Sequence, residues 1–560
     1  MIKRRLWPLL REKKKLNSLF KRKFGAGYRL IFGYVSLFMA FIGLIILLPL
    51  LVIAFFPNEW MCYKAFLVPG VGSLVIGLLM YLVLTKGVDK SQLGKHQDSV
   101  LLVSIWLSAV LIGALPFFLN QYFYPEIDSI KMNFSESFFE SVSGFSAAGL
   151  TVFKNLLDGK AAYGLDTFCP HVYLFYRALT QFFGGIGLVL IVTSAVSDRY
   201  GMKLFYTEGH NDRLLPNLAK TAKVTFSIYC LIIALGSFAL WLFGMDFFEA
   251  LCHSISGMAT GGFSTRSSGF YYFESSSYTG NGVFEYNPIG AEITTCCIML
   301  LGATSFLLIY NLLRGKWKNF LNDCEIKFAS FFLLFTILCG SAMCLCQFDY
   351  ASSSFANPID YPSSLRYAAF QLISCLTTTG FGNVPNIAYL GQGVIYLSII
   401  CMLIGGGMGS TGGGIKQYRF IVVMKELYWS IKYKLTPKRQ LYPHNIIRAG
   451  KTEEVTPELY KDSSLYLILY LLVTFFLTFV LSFLPNINVQ ECLYEVVSSL
   501  SGTGNTILDF FSYKANNPLY CYNILLWILS IAMFLGRLEI MPFYYFLVRS
   551  SKDIIHKETI

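Results

Sequence analysis

Apolar residues along this chain fall in long blocks, not in the alternation of strands or the one-sided stripes of surface helices. Segments such as 30–56 and 65–84 reach or exceed the roughly 20 apolar residues that span a hydrocarbon core. Ten crossings are expected, at about 30–56, 65–86, 99–119, 171–197, 222–244, 288–313, 327–347, 388–430, 463–484 and 520–548, the eighth long and broken. Between them lie four half-helices, about 134–145, 246–257, 362–375 and 489–500, too short to cross. The first block is longer than the about 7–15 apolar residues of a cleavable signal and reads as a retained anchor.

Each half-helix runs into one repeated signature. Ser141–Gly149, Ser254–Gly262, Leu372–Gly380 and Val496–Gly504 align without gaps. Six positions before each closing glycine stands Ser143, Ser256, Ser374 or Ser498, and seven before it Val142, Ile255, Ile373 or Val497. The glycines are 113, 118 and 124 residues apart, one helix, half-helix, small-residue loop and helix per interval. This predicts pore repeats over 96–210, 211–320, 321–455 and 456–560, after a basic arm at 1–29 and two further membrane helices in 30–95. The expected fold is an all-α polytopic membrane protein with four helix–pore-loop–helix repeats in pseudo-fourfold arrangement.

Irregular backbone at membrane depth is tolerated only where it lines water or is buried in protein. A half-helix ending in a Ser/Thr/Ala/Gly loop aims carbonyls and the negative end of its dipole at the axis. Rings of carbonyl oxygens can replace the hydration shell of an alkali cation. Small residues also let helices pack closely, but that pattern would recur within helices and not at the ends of four short segments.

Composition agrees with lipid as solvent: 55% hydrophobic, 14% charged, mean hydropathy +0.54. Thirty-six Lys/Arg fall in 1–29, 86–95, 198–223, 314–327, 416–461 and 549–560, against eight on the opposite side. The asymmetry predicts both termini on the cytoplasmic face. The net charge of +12 is then a topology signal and a contact for anionic membrane lipids, with no nucleic acid required. Fourteen cysteines without a Cys-x-x-Cys pair, and six scattered histidines, give no metal framework.

On these residues the chain resembles the Trk-type membrane subunit of the Trk/Ktr/HKT superfamily of potassium transporters. The likeness includes Gln181–Gly187, Ala259–Thr265, Thr377–Phe381, Gly409–Lys416 and Leu535–Ile540. It implies one pore per subunit and a filter of Ser146, Ala147, Ala148 and Gly149; Ala259, Thr260, Gly261 and Gly262; Thr377, Thr378, Thr379 and Gly380; and Ser501, Gly502, Thr503 and Gly504. It further implies a homodimer, a cytoplasmic nucleotide-binding regulatory subunit, the cell inner membrane as location, and K⁺ as cargo with no cofactor. Sodium-preferring members often carry Ser at the first closing position, so Gly149 implies potassium. The first loop has Ser146-Ala-Ala148 where many relatives carry hydroxyls, and the fourth has Ser501-Gly-Thr503, leaving fewer hydroxyl ligands at the cytoplasmic end.

The run Gly405–Gly414 interrupts the eighth crossing. Its Gly407-x-Gly409-x-x-Gly412 spacing matches a dinucleotide fingerprint, which has meaning only after a strand in a βαβ unit. The resemblance implies a gating loop there, with Gly405, Gly406, Gly407, Gly409, Gly412, Gly413 and Gly414; a packing kink is the plainer alternative. Arg537, expected mid-helix, is implied to point into the pore below the filter, or else to form a structural ion pair. Lys416, directly after the glycine run, reads as a snorkelling anchor, with a gate element as the alternative. Glu140, Glu249 and Glu495, near half-helices, read as caps or as negative charge at the pore mouth, and no general acid–base pair is found. Sodium or poorly selective conduction is the alternative within transport. A secondary transporter of an organic solute would call for inverted repeats, whereas these four run in one direction.

Overall fold

The computed structural model describes residues 28–86, 97–123, 131–153, 169–187, 218–274, 278, 280–347, 360–435 and 444–558. The basic arm before residue 28 and the part of the fourth crossing beyond 187 lie outside the described residues. Seven described helices are long and apolar enough to cross a membrane: Tyr28–Ala54, Pro57–Thr85, Ser99–Phe123, Lys220–Leu242, Cys324–Gln347, Pro457–Leu481 and Leu519–Arg537. Pro288–Gly302 and Phe306–Leu313 together make an eighth, bent by 110°. A two-stranded antiparallel hairpin, Asn445–Arg448 with Lys451–Glu454, departs from an otherwise helical fold.

The half-helices are Phe134–Ser146, Phe247–Met258, Tyr361–Leu376 and Val489–Ser501. Local chemistry starts them. Asn133 and Glu136 form a reciprocal capping box, with Oδ1 accepting from the Glu136 amide at 2.8 Å and the Asn133 amide bonded to Glu136 at 2.9 Å. Asp246 accepts the Phe248 amide at 3.0 Å.

Each half-helix is followed by an inner helix: His171–Ile186, Pro288–Gly302, Gln392–Ile404 and Leu519–Arg537. The inner helices of the first three repeats each pack on their own half-helix and on that of the next repeat; the fourth packs on its own and on the first. The packing therefore closes a ring of four.

Three of the expected crossings are interrupted. The run 288–313 bends at Ala303–Ser305, because residues far along the chain receive the freed backbone groups: the Gly407 amide donates to Ala303 (2.8 Å) and the Thr411 amide to Gly302 (3.1 Å). The run 388–430 is two helices, Gln392–Ile404 and Gln417–Leu435, joined by a glycine hairpin. The run 520–548 breaks after Arg537, where Glu539 and Ile540 adopt φ of 55° and 49° before Met541–Glu558 begins. Arg537 thus ends a helix instead of lying within one.

Candidate ion-conduction site

All four half-helices end alike. The amide of Ala148, Gly261, Thr379 or Thr503 donates back to the carbonyl of Ser143, Ser256, Ser374 or Ser498 at 2.8–2.9 Å. That six-residue closure needs a left-handed residue, supplied by Ala147 (φ 53°), Thr260 (51°), Thr378 (54°) and Gly502 (69°). Three of these carry side chains in a region that costs them on the order of 1 kcal/mol or more. Two residues on, Gly149, Gly262, Gly380 and Gly504 are again at positive φ, 73° to 87°.

These glycines form a second closed ring. A Cβ on Gly149 would overlap the carbonyl oxygen of Gly261; on Gly262, that of Thr379; on Gly380, that of Thr503; on Gly504, that of Ala148. Every repeat thereby presents one carbonyl to the glycine of its neighbour, and the fourth returns to the first. The loop hydroxyls turn inward on the protein. Ser146 donates to Val142 at 2.6 Å and Thr377 to Ile373 at 2.8 Å, while Ser501 and Thr503 share a bond of 2.7 Å. Thr260 bonds the Ala259 carbonyl at 2.7 Å.

Below the first and fourth loops is a cavity lined by Ser146, Ala147, Ser501 and Gly502, together with Gly409 to Gly414, Lys416, Gly536, Arg537 and Glu539. It brings four of the expected filter residues together with Gly409, Gly412, Gly413, Gly414 and Arg537. Gly405, Gly406 and Gly407 lie outside its lining and form the stem of the hairpin. There the Gly406 amide donates to Gly413 at 3.1 Å and the Gln417 amide to Gly406 at 3.0 Å. The hairpin is fixed to the loops above: Thr378 Oγ1 accepts the Gly413 amide at 2.7 Å, and the Thr411 and Thr260 hydroxyls lie 3.2 Å apart.

Lys416 is not an interfacial anchor. It is 8% exposed, lines the cavity, and donates from Nζ to the Gly412 carbonyl. Arg537 reaches from the fourth repeat to the first, donating to the carbonyls of Gly184 and Gly185, with its guanidinium 5.5 Å from the Trp106 ring centroid. Glu539 pairs with Arg419 at 2.7 Å.

The TrkH sequence profile, described as a cation transport protein, matches residues 78–554. The chain belongs to the TrkH family. It is 27% identical to an uncharacterized cation transporter of Methanocaldococcus jannaschii over 90% of this chain and 91% of that one. It is 27% identical to the Trk system potassium uptake protein TrkH of Escherichia coli K12, over 84% of this chain and 88% of that one. The crystal structure of the potassium transporter TrkH from Vibrio parahaemolyticus superposes with TM-score 0.71 at 23% identity, over 92% of this chain and 98% of that one, and shares the fold. The apolar spans and this membership make the chain a multi-pass membrane protein.

Sequence reasoning on this TrkH-family chain missed the residues that hold the ring from behind. Gln181, on the first inner helix, donates to the ring carbonyl of Gly261 at 2.6 Å and accepts from the Ser256 hydroxyl at 2.7 Å. Its place in the quoted Gln181–Gly187 motif was visible; its partner 80 residues away was not. Gly184, Gly302 and Gly536 are likewise equivalent. A Cβ on any of them would press on the carbonyl oxygen four residues before a ring glycine, at Phe145, Met258 and Leu500. The expected caps bind specific segments. Glu140 accepts the Val152 amide at 3.1 Å and pairs with buried Arg177 at 2.7 Å. Glu249 pairs with Arg266 at 2.6 Å and accepts from the Tyr278 hydroxyl at 3.0 Å.

Proposed function

We propose that this chain conducts potassium inward across the cell inner membrane along the axis of the four loops, and that it has no enzymatic role. The observation that carries the reading is the closed alternation of four glycines and four carbonyls contributed by successive repeats. Oxygen dipoles converging on one axis suit a weakly hydrated alkali cation. Relatives named as Trk potassium uptake proteins, similar over most of their length, support the choice of ion. On this reading residues 146–149, 259–262, 377–380 and 501–504 are the filter, and the hairpin 405–414 with Arg537 is the gate beneath it. The functional unit is a homodimer with both termini cytoplasmic. Its cytoplasmic partner binds nucleotides, K⁺ is the cargo, and no cofactor takes part.

The test is rubidium and sodium uptake by a bacterial host lacking its own potassium uptake and expressing this chain. Growth at low potassium with saturable rubidium uptake is expected. Sodium uptake without rescue would establish the sodium reading instead, consistent with a first loop lacking hydroxyls at Ala147 and Ala148.

A further inference from the structure

Nine residues before the ring glycines stand Glu140, His253, Gln371 and Glu495, one in each half-helix and all buried. Three of them reach the segment leaving their own loop. Glu140 accepts from Thr151 and Val152, His253 Nε2 lies 3.0 Å from the Ser264 hydroxyl, and Glu495 accepts from Thr506, Ile507 and Leu508. In these three repeats the position is therefore a staple between the half-helix and the segment that leaves the loop.

Its charge differs from repeat to repeat. Glu140 is neutralised by Arg177, whose guanidinium lies 4.0 Å from the Phe263 ring centroid. His253 Nδ1 faces the Glu249 carbonyl at 2.7 Å, so the proton sits there and the neutral ring accepts at Nε2. Gln371 carries no charge. Glu495 has three donors on Oε1, at 2.7 to 3.1 Å, and its Oε2 is buried without a hydrogen-bond partner. Among the described residues it forms no ion pair. Donors thus converge on one oxygen and leave the other bare. A buried carboxylate is expensive unless a cation compensates it.

Ser498, one turn beyond Glu495, holds the Thr503 amide with its carbonyl at 2.9 Å and the Asn505 carbonyl with its hydroxyl at 2.5 Å. Glu495 fixes residues 506–508, so these two side chains tie the far end of the fourth loop to its half-helix.

We propose that Glu495 is an electrostatic and positioning residue for the transported ion: its unpaired carboxylate draws the cation to the fourth repeat while its bonded oxygen holds residues 506–508. The ion in the path is then the counter-charge that the protein itself omits. This rests on the conduction reading above.

The experiment measures rubidium uptake against rubidium concentration for the full chain, wild type, Glu495→Gln and Glu495→Asp, in the same host. Gln keeps an oxygen for Thr506, Ile507 and Leu508 but removes the charge. Its half-saturating concentration is expected to rise roughly fivefold with the maximal rate nearly unchanged, the factor carried by about 1 kcal/mol. Glu495→Asp keeps the charge and is expected to retain the wild-type half-saturation. An unchanged half-saturating concentration in the Gln variant overturns the role of Glu495. If the Gln variant does not accumulate, Asp accumulating with wild-type half-saturation sustains it. Failure of both to accumulate makes the residue structural and overturns the proposal. Absence of saturable uptake in the wild type would overturn the potassium reading itself, a separate outcome.

Discussion

Thr411 places both its amide, at 3.1 Å, and its hydroxyl, at 2.8 Å, on the single carbonyl of Gly302. The glycine hairpin of the third repeat is thereby fastened to the bend of the second. The Met258 carbonyl, at the end of the second half-helix, stands 3.0 Å from the same hydroxyl. On the gating reading proposed above, such bonds, each worth about 1 kcal/mol, hold the hairpin shut. Thr411→Val removes the hydroxyl and keeps the shape. Rubidium flux per molecule is expected to rise roughly fivefold, and Thr411→Ser to stay near wild type. Equal flux in the Val and Ser variants would remove Thr411 from the gate.

Arg537 sets a positive charge in the cavity beneath the first and fourth loops. Repulsion of a permeating cation at several Å amounts to a few kcal/mol at intermediate dielectric. Arg537→Ala is expected to raise the maximal rubidium rate at least severalfold with little change in the rubidium-to-sodium ratio, since the filter reading places discrimination at the loops. The side chain also joins repeats four and one through Gly184 and Gly185. A variant that fails to assemble, read by size-exclusion chromatography in detergent, would assign Arg537 to that structural tie alone.

Gly536 lies against the backbone of the fourth half-helix, where a Cβ would overlap the Leu500 carbonyl oxygen. Backbone cannot move aside as a flexible side chain can, so overpacking there costs about 1–3 kcal/mol. Gly536→Ala is expected to lower the thermal midpoint of the purified protein. Gly72→Ala, where nothing lies within 4 Å of the added carbon, is the control and should leave it unchanged or slightly raised, Ala being the better helix former. Equal midpoints in the two variants would mean that the inner helix has room to shift.

Gly149 combines a φ of 81° with a Cβ position occupied by the Gly261 carbonyl oxygen. Gly149→Ser therefore strains its own backbone and displaces a ring carbonyl of the next repeat. Potassium uptake is expected to fall, with relatively greater sodium permeation, because sodium can keep part of its water shell. Ser146→Ala removes only a hydroxyl turned back on Val142, at 2.6 Å, and should be milder. Isotope uptake of both ions by the two variants decides it; equal tolerance with intact selectivity would mean that Gly149 lies off the ion path.

The sequence by itself determined whatever depends on local length and backbone freedom. Bilayer thickness and helical rise divide spans from half-helices, so the runs near 134–145 and 489–500 were legible as the helices Phe134–Ser146 and Val489–Ser501. Glycine's tolerance of positive φ made the four loop ends legible as well, since Gly149, Gly262, Gly380 and Gly504 recur in register. What the sequence could not carry was the partner of each freed backbone group. Runs 288–313 and 520–548 are apolar enough to continue as helices. They break because Thr411 and Gly407 receive the carbonyls of Gly302 and Ala303, and because the chain turns left-handed at Glu539 and Ile540. Lys416 follows the glycine run of a broken apolar span and looks like an anchor until the hairpin folds and offers it the Gly412 carbonyl. Two glutamates at the same repeat position, Glu140 and Glu495, are alike in sequence; only the third dimension gives one an arginine and the other, among the described residues, none. Local strain and span length are properties of a segment, whereas satisfaction of a buried polar group is a property of its neighbours, and those are chosen by the ring.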